Sequence, residues 1–244
     1  MSNSPLVSYT KLSPNHSGQR TRKIDRITPH CVVGQCSVER LGDIFLPASR
    51  EASCNYGIGA DGRVGMYVEE KNRSWCSSSN ANDQRAVTIE CASDGAEPYA
   101  FRDVVYQSLI TLCVDICKRN GKTKLLWLED KDKTLAYTPA PDEMVLTVHR
   151  WFANKSCPGN WMYARMGDLA EKVTAQLSTG TDEEDDDMDI NKFKELWREM
   201  RKELQDNDAS AYSEEARKWA VDNGIIRGGN SDEFNGMWED MMTR

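Results

Sequence analysis

The stretch MVLTVHRWFANKSCPG, residues 144–159, passes from an apolar run into a loop that carries three chemically capable side chains. Residues 144–151 predict a strand bearing His149. Cys157 follows eight positions later, across a loop that ends in Pro158-Gly159. Lys155 stands two residues before the cysteine, and in an extended segment side chains two apart point the same way. That would put an ammonium beside the thiol. The chain holds only three histidines. His16 lies in an N-terminal stretch without periodicity and reads as a solvated bystander. His30 lies in ITPHCVV (27–33), a second predicted strand. Zinc takes imidazole nitrogen and thiolate sulfur at about 2.0–2.3 Å, and three protein ligands with an open fourth position make a catalytic site. His30, His149 and Cys157 would supply such a set. Spacing alone leaves this level with the alternative of two structural histidines and a cysteine buried at a Pro-Gly turn.

Working outward, the rest of the first 180 residues reads as a mixed α/β domain. Residues 1–23 predict an extended arm, with two prolines, several serines and a basic cluster of Arg20, Arg22 and Lys23. SVERLGDIF (37–45) predicts a short helix opened by Ser37. SCNYGIGADGRVGMYV (53–68) predicts a hairpin turning at Ala60-Asp61-Gly62. AVTIECA (86–92) predicts a strand with Val87, Ile89 and Cys91 on one face and Glu90 on the other. A helix over 101–121 places Val105, Leu109, Leu112 and Ile116 in register and stops at Gly121. LLWL (125–128) fits a strand or a short helix equally. A second amphipathic helix spans Trp161 to Leu177 with Asn160 as its cap.

The composition narrows the function classes. The 244 residues carry a net charge of −8, but residues 181–244 hold 19 acidic and nine basic side chains, while residues 1–180 hold 20 and 22. The tail thus carries −10 and the first 180 residues +2. A nearly neutral main domain argues against a nucleic-acid binder. No run of ~18–20 apolar residues is present, so no membrane span is expected. The N-terminus lacks the pattern of a secretory signal, so synthesis in the cytoplasm is expected. Eight cysteines without such a signal read as thiols or metal ligands before they read as disulfides.

Four fragments, taken in order, resemble the zinc-dependent N-acetylmuramoyl-L-alanine amidases of the second type, the group of phage-lysozyme amidases and peptidoglycan recognition proteins. They are ITPHCVV, SCNYGIGADGRV, AVTIECASD and TVHRWFANKSCPG, and the likeness spans about residues 24–177. The resemblance implies an α/β fold with a central mixed β-sheet flanked by helices. It implies hydrolysis of the amide between N-acetylmuramic acid and L-alanine in peptidoglycan. It implies Zn2+ held by His30, His149 and Cys157, a catalytic carboxylate at Glu90, and a basic helper at Lys155. One departure stands out: where some members place a Tyr or His two residues ahead of the hairpin's central aromatic, this chain has Cys54. Tyr56 is assigned to the strand core, and Asn55 is expected to contact substrate. Two other readings stay open: a non-catalytic peptidoglycan-binding protein, and a cytosolic amidase that recycles muropeptides. Loss of the ligand cysteine usually marks the non-catalytic state, and Cys157 is present.

The expected division is an arm (1–23), a catalytic domain (24–178), an acidic linker (179–190) and a small all-α C-terminal module (191–244). Seven of the nine residues from Thr181 to Asp189 are acidic, and such a block repels itself. Phe193, Trp197, Met200 and Leu204 would share one helix face. Trp219-Ala220, Asn223-Gly224-Ile225 and Gly228 resemble part of a single S-layer homology motif, a family that usually carries three copies. The module is expected to bind a cell-wall polymer or to self-associate. The whole chain then reads as a phage or prophage endolysin that acts on the wall after release.

Overall fold

The computed structural model describes residues 2–179, 193–199, 218–220 and 222–224. The chain divides into two compact units, Met1–Glu183 and Glu184–Arg244.

The first unit is organised around β3 (Arg26–Cys31), whose six residues are all buried. It runs parallel to β7 (Ala86–Cys91) on one side and β9 (Glu143–Leu146) on the other. β4 (Tyr56–Ile58) adds parallel to β7, and β5 (Val64–Met66) pairs antiparallel with β4. β1 (Val7–Thr10) and β8 (Lys124–Leu126) form the two edges, so the order is β1-β5-β4-β7-β3-β9-β8. The sheet is therefore mixed, with one antiparallel pair. A separate two-stranded ribbon joins β2 (His16–Gln19) to β6 (Asn72–Ser74). The β4–β5 turn needs its glycine: Gly62 has φ +84°, and a Cβ there would lie 2.6 Å from Val104 Cγ2.

Alternation along β7 decides what each face of the sheet does. Val87, Ile89 and Cys91 face the main core, where α3 (Asp103–Arg119) and α6 (Met166–Thr179) pack. Val105, Leu109, Leu112 and Ile116 of α3 are all fully buried, as their spacing predicts. Each such side chain contributes roughly 1.5–3 kcal/mol on burial. The opposite face, toward which Glu90 points, carries α1 (Val38–Phe45), capped by the Ser37 hydroxyl accepting from the Arg40 amide. Leu41 and Phe45 of α1 make a smaller cluster with Cys54 and Tyr67. One sheet face is thus closed by long helices, and the other is left partly open.

Several expectations need correction. The arm over 1–23 is built into the fold: it supplies β1 and β2, and Arg20 is a buried strut that donates to the carbonyls of Glu70 and Asp83 and to Asn55 Oδ1. The chain's start is fastened at Glu70, a fully buried carboxylate paired with Arg119 and accepting from the Tyr56 hydroxyl at 2.8 Å. Ser4 donates its amide to that same hydroxyl at 2.9 Å. His149 is not on a strand. β9 ends at Leu146, and His149–Trp151 form a 3-10 turn. Trp151 stacks flat on Trp127, centroids 5.1 Å apart, which draws the chain out of the sheet. The helix expected over 161–177 is two helices, α5 (Asn160–Tyr163) and α6. The N-cap of α5 is Gly159, while Asn160 Oδ1 accepts from Arg150 instead. LLWL resolves as the end of β8 followed by a loop that leads to the short helix α4 (Lys131–Ala136).

The acidic linker expected over 179–190 lies outside the described residues apart from Thr179. Phe193 and Trp197 lie on a helical stretch, 193–199, with ring centroids 6.3 Å apart and about half their surface exposed. Met200, Leu204, Ile225 and Gly228 lie outside the described residues. Among the described residues no helix is long and apolar enough to cross a membrane.

Candidate active site

His30, the penultimate residue of β3, stands directly opposite Glu90 of β7 in the parallel register. Both side chains project from the partly open face. The chain leaves β9, makes the His149–Trp151 turn and comes back, closed by the Arg150 amide donating to the Cys157 carbonyl at 3.1 Å. Gly159 allows the return. Its φ is +85°, and a Cβ there would lie 2.8 Å from both the Pro98 carbonyl oxygen and Tyr99 Cβ. The result brings Cys157 Sγ to 3.2 Å from His30 Nδ1. The His30 and His149 rings meet edge-on at 5.1 Å. Ligand-capable atoms of His30, His149 and Cys157 all lie within 4.8 Å of one another.

These three residues fit a metal ion. Two ligands of one tetrahedral zinc stand about 3.5 Å apart when bonds are about 2.0–2.3 Å. The Sγ–Nδ1 distance is close to that. His30 is 1% exposed, and its Nε2 is buried without a hydrogen-bond partner. Burial pushes the His30 imidazole well below its ordinary pKa, and the neighbouring His149 adds to the effect. His149 is lowered by burial and by the Lys155 charge. Both rings are thereby held neutral, the form that coordinates metal. Burial raises the Cys157 thiol, so its proton must leave when a cation arrives.

Glu90 lies beside this set. Its Oε1 stands 3.9 Å from Cys76 Sγ, and its Oε2 is buried without a partner. Burial pushes its pKa up to about 7, against the opposing effects of the Arg50 charge and the Cys76 thiol. His30, Cys76 and Glu90 also present ligand-capable atoms within 4.8 Å of one another. A cleft of about 680 Å³ opens over the site, lined by Glu90, His149, Lys155 and Cys157 together with Arg50, Cys76 and Ser78. His30 sits behind it. Lys155 is exposed at the rim. Such a cleft can hold a polar substrate against a cation, a carboxyl group that exchanges its proton near neutrality, and an ammonium.

Five of the six expected site residues therefore come together, and Asn55 does not join them. It is fully buried, and its substrate role is corrected to a structural one. Its Oδ1 accepts from Arg20 at 2.8 Å and from the Thr88 amide at 3.2 Å, and its Nδ2 donates to the Val68 carbonyl at 3.2 Å. No polar atom is left to face the cleft. Tyr56 is core, as expected. All eight cysteines are free. Cys76 and Ser78 lie in WCSSSN (75–80), which has no periodicity and reads in the sequence only as a turn. Yet Ser78 Oγ lies 3.0 Å from His149 Nε2.

Comparison with solved structures finds PlyL at 14% identity, covering 68% of this chain and 95% of that one, with a TM-score of 0.48. A selenomethionine derivative of AmpD matches at 18% identity, covering 66% and 93%, TM-score 0.46. The N-acetylmuramoyl-L-alanine amidase LysC from Clostridium intestinale URNW matches at 18% identity, covering 70% and 95%, TM-score 0.44. The comparison with curated proteins finds no match. The family model described as N-acetylmuramoyl-L-alanine amidase matches residues 17–160, more than half of the chain. The chain belongs to the N-acetylmuramoyl-L-alanine amidase family and hydrolyses the amide between N-acetylmuramic acid and the L-alanine of the peptidoglycan stem peptide.

Proposed function

We propose that this amidase is zinc-dependent, with His30, His149 and Cys157 as the protein ligands, Glu90 as the proton carrier and Lys155 as the oxyanion partner. The observation that carries the reading is the convergence of two neutral imidazoles and a thiol within 4.8 Å, beside a carboxyl oxygen with no partner. When bound, zinc supplies Lewis acidity, which acidifies water and polarises the scissile carbonyl. Glu90 takes the proton of the attacking water at Oε2 and delivers it to the leaving nitrogen of L-alanine. A pKa of about 7 suits both halves of that task, and such acid–base help typically contributes ~10²–10⁴-fold. Lys155, at the rim beside Cys157, meets the charge that develops on the carbonyl oxygen. One such donor is worth roughly 3–4 kcal/mol.

The finer assignments follow from the same reading. The chain acts as an endolysin on the bacterial wall, residues 24–178 carry the catalysis, and residues 191–244 bind wall polymer or self-associate. The test uses purified peptidoglycan and identifies new termini. Free L-alanine amino groups without new reducing sugars are expected. His30→Ala and Cys157→Ala should lose both zinc and lysis, whereas Glu90→Gln should keep zinc and lose lysis. Undiminished lysis by the chelator-stripped protein would overturn the zinc assignment.

A further inference from the structure

The partly open face of the sheet carries a second cleft, of about 790 Å³, beyond the short helix α2 (Asn80–Asp83). Ser79 lines both this cleft and the catalytic one. Strand β3 runs beneath both. Arg26 and His30 are four residues apart on one face of it, a span of about 13 Å at ~3.3 Å per residue. Four cationic residues line the second cleft, Arg22, Lys23, Arg26 and Arg85, against one carboxylate, Asp25.

That carboxylate is already engaged. Arg85 grips Asp25 with two bonds of 2.7 and 2.6 Å. Arg26 is left with a neutral partner only: it is 5% exposed, and its Nη1 donates to Asn82 Oδ1 at 3.1 Å. Among the described residues no carboxylate pairs with it. Burial and the adjacent Arg85 charge hold its pKa down at about 10. Arg22 and Lys23 are exposed and make no ion pair among the described residues. A charge removed from water is costly unless a counter-charge meets it. Guanidinium groups arranged around a cleft are matched geometrically by a carboxylate or phosphate, which they bind with paired hydrogen bonds.

We propose that this second cleft is an anion subsite that takes an oxyanion, carboxylate or phosphodiester, carried by the same wall polymer that the active site hydrolyses. The proposal rests on the wall-hydrolase reading, because Ser79 lines both clefts and a polymer held in the catalytic one can continue past it to these cations. Two sources share the chemistry: carboxylates of the stem peptides, and phosphodiester polymers attached to the glycan.

The test measures co-sedimentation with purified walls in a Glu90→Gln background, so that the walls are not consumed. Arg22→Gln/Lys23→Gln removes two exposed charges from the cleft. Arg102→Gln/Lys118→Gln removes two exposed charges from the helix-covered face and is the control. At low ionic strength the cleft variant should bind intact walls at least about fivefold more weakly than the control. The difference should fade at about 1 M salt, where the Debye length falls to about 3 Å. A loss confined to intact walls, and absent on walls stripped of phosphodiester polymer by acid, assigns the phosphodiester. An equal loss on both assigns the stem-peptide carboxylates. Unchanged binding, or an equal loss in the control, overturns the subsite. Release of alanine amino groups by the protein with Glu90 intact is read separately, so a failure of the catalytic reading is not mistaken for a failure of this one.

Discussion

Glu90 is where the physical chemistry of single residues is most exposed to test. Its ordinary pKa of 4.5 is pushed up to about 7 in the folded, metal-free protein, chiefly by burial. Below pH 4.5 the carboxyl is protonated in both folded and unfolded chains and costs nothing. Between 4.5 and 7 the unfolded chain gives up its proton first, so stability falls as pH rises, and above 7 the loss is complete. The shift corresponds to at most about 3 kcal/mol. Glu90→Gln has no such proton to lose. The metal-free variant should therefore exceed the metal-free wild type in stability by up to about 3 kcal/mol at pH 8, the gap closing below about pH 4.5. Urea unfolding at the two pH values checks this, and a gap that does not move with pH would rule out the raised carboxyl. His30 and His149 were legible in the sequence because the chain has only three histidines, and Cys157 and Glu90 because the order of the fragments that hold them carries the family's pattern. Asn55 was not, because an asparagine beside a hairpin reads the same whether it faces a cleft or braces the backbone. What decides its role is Arg20, thirty-five positions away, filling the space in front of it.

At the scale of elements, the loop over residues 75–79 shows how a segment without periodicity can serve the site. Asp83, on α2, accepts from the Cys76 amide at 3.1 Å and from the Ser77 hydroxyl at 2.6 Å, while Ser79 caps the same helix. Ser78, pinned between these anchors, adopts φ +62°. A non-glycine residue is held in that region only when its surroundings over-determine it. Its hydroxyl thereby reaches His149 Nε2 and fixes the orientation of the ring. Partners of this kind typically govern metal affinity by about 10–100-fold. Ser78→Ala should weaken zinc binding within that range in a competition titration with a chelator, with little change in the melting temperature of the metal-free protein. Unaltered zinc affinity would remove the role. The long elements, by contrast, were legible: α3 announces itself through four buried residues at helical spacing. The strand ending before His149 was not, because Thr147, Val148 and Trp151 have strand-like propensity, and it is the tertiary stacking of Trp151 on Trp127 that turns the chain.

For the molecule as a whole, the net charge of −8 separates into about +2 on residues 1–180 and −10 on residues 181–244. A catalytic unit near neutrality can approach an anionic wall, whereas a tail of −10 would be repelled by it unless the tail has a ligand or a partner of its own. The described helical stretches of that tail display Phe193, Trp197 and Trp219 at 48%, 49% and 62% exposure, so their apolar surface is available for either. The main core of the first unit draws its buried residues from Ile24 to Leu177, and removal of the tail takes none of them away. A chain ending at Thr179 should therefore turn over a soluble muramoyl-peptide at the full-length rate. It should differ from the full-length protein in one of two measurements. Weaker sedimentation with purified walls, at unchanged mass in solution, identifies a wall-targeting module. A fall from dimer to monomer mass, at unchanged sedimentation per catalytic unit, identifies a self-association element. If neither quantity moves, both roles fail, and the −10 serves only to repel. The comparison is best made at about 0.15 M salt, where the Debye length of about 8 Å screens long-range repulsion while leaving contact interactions intact.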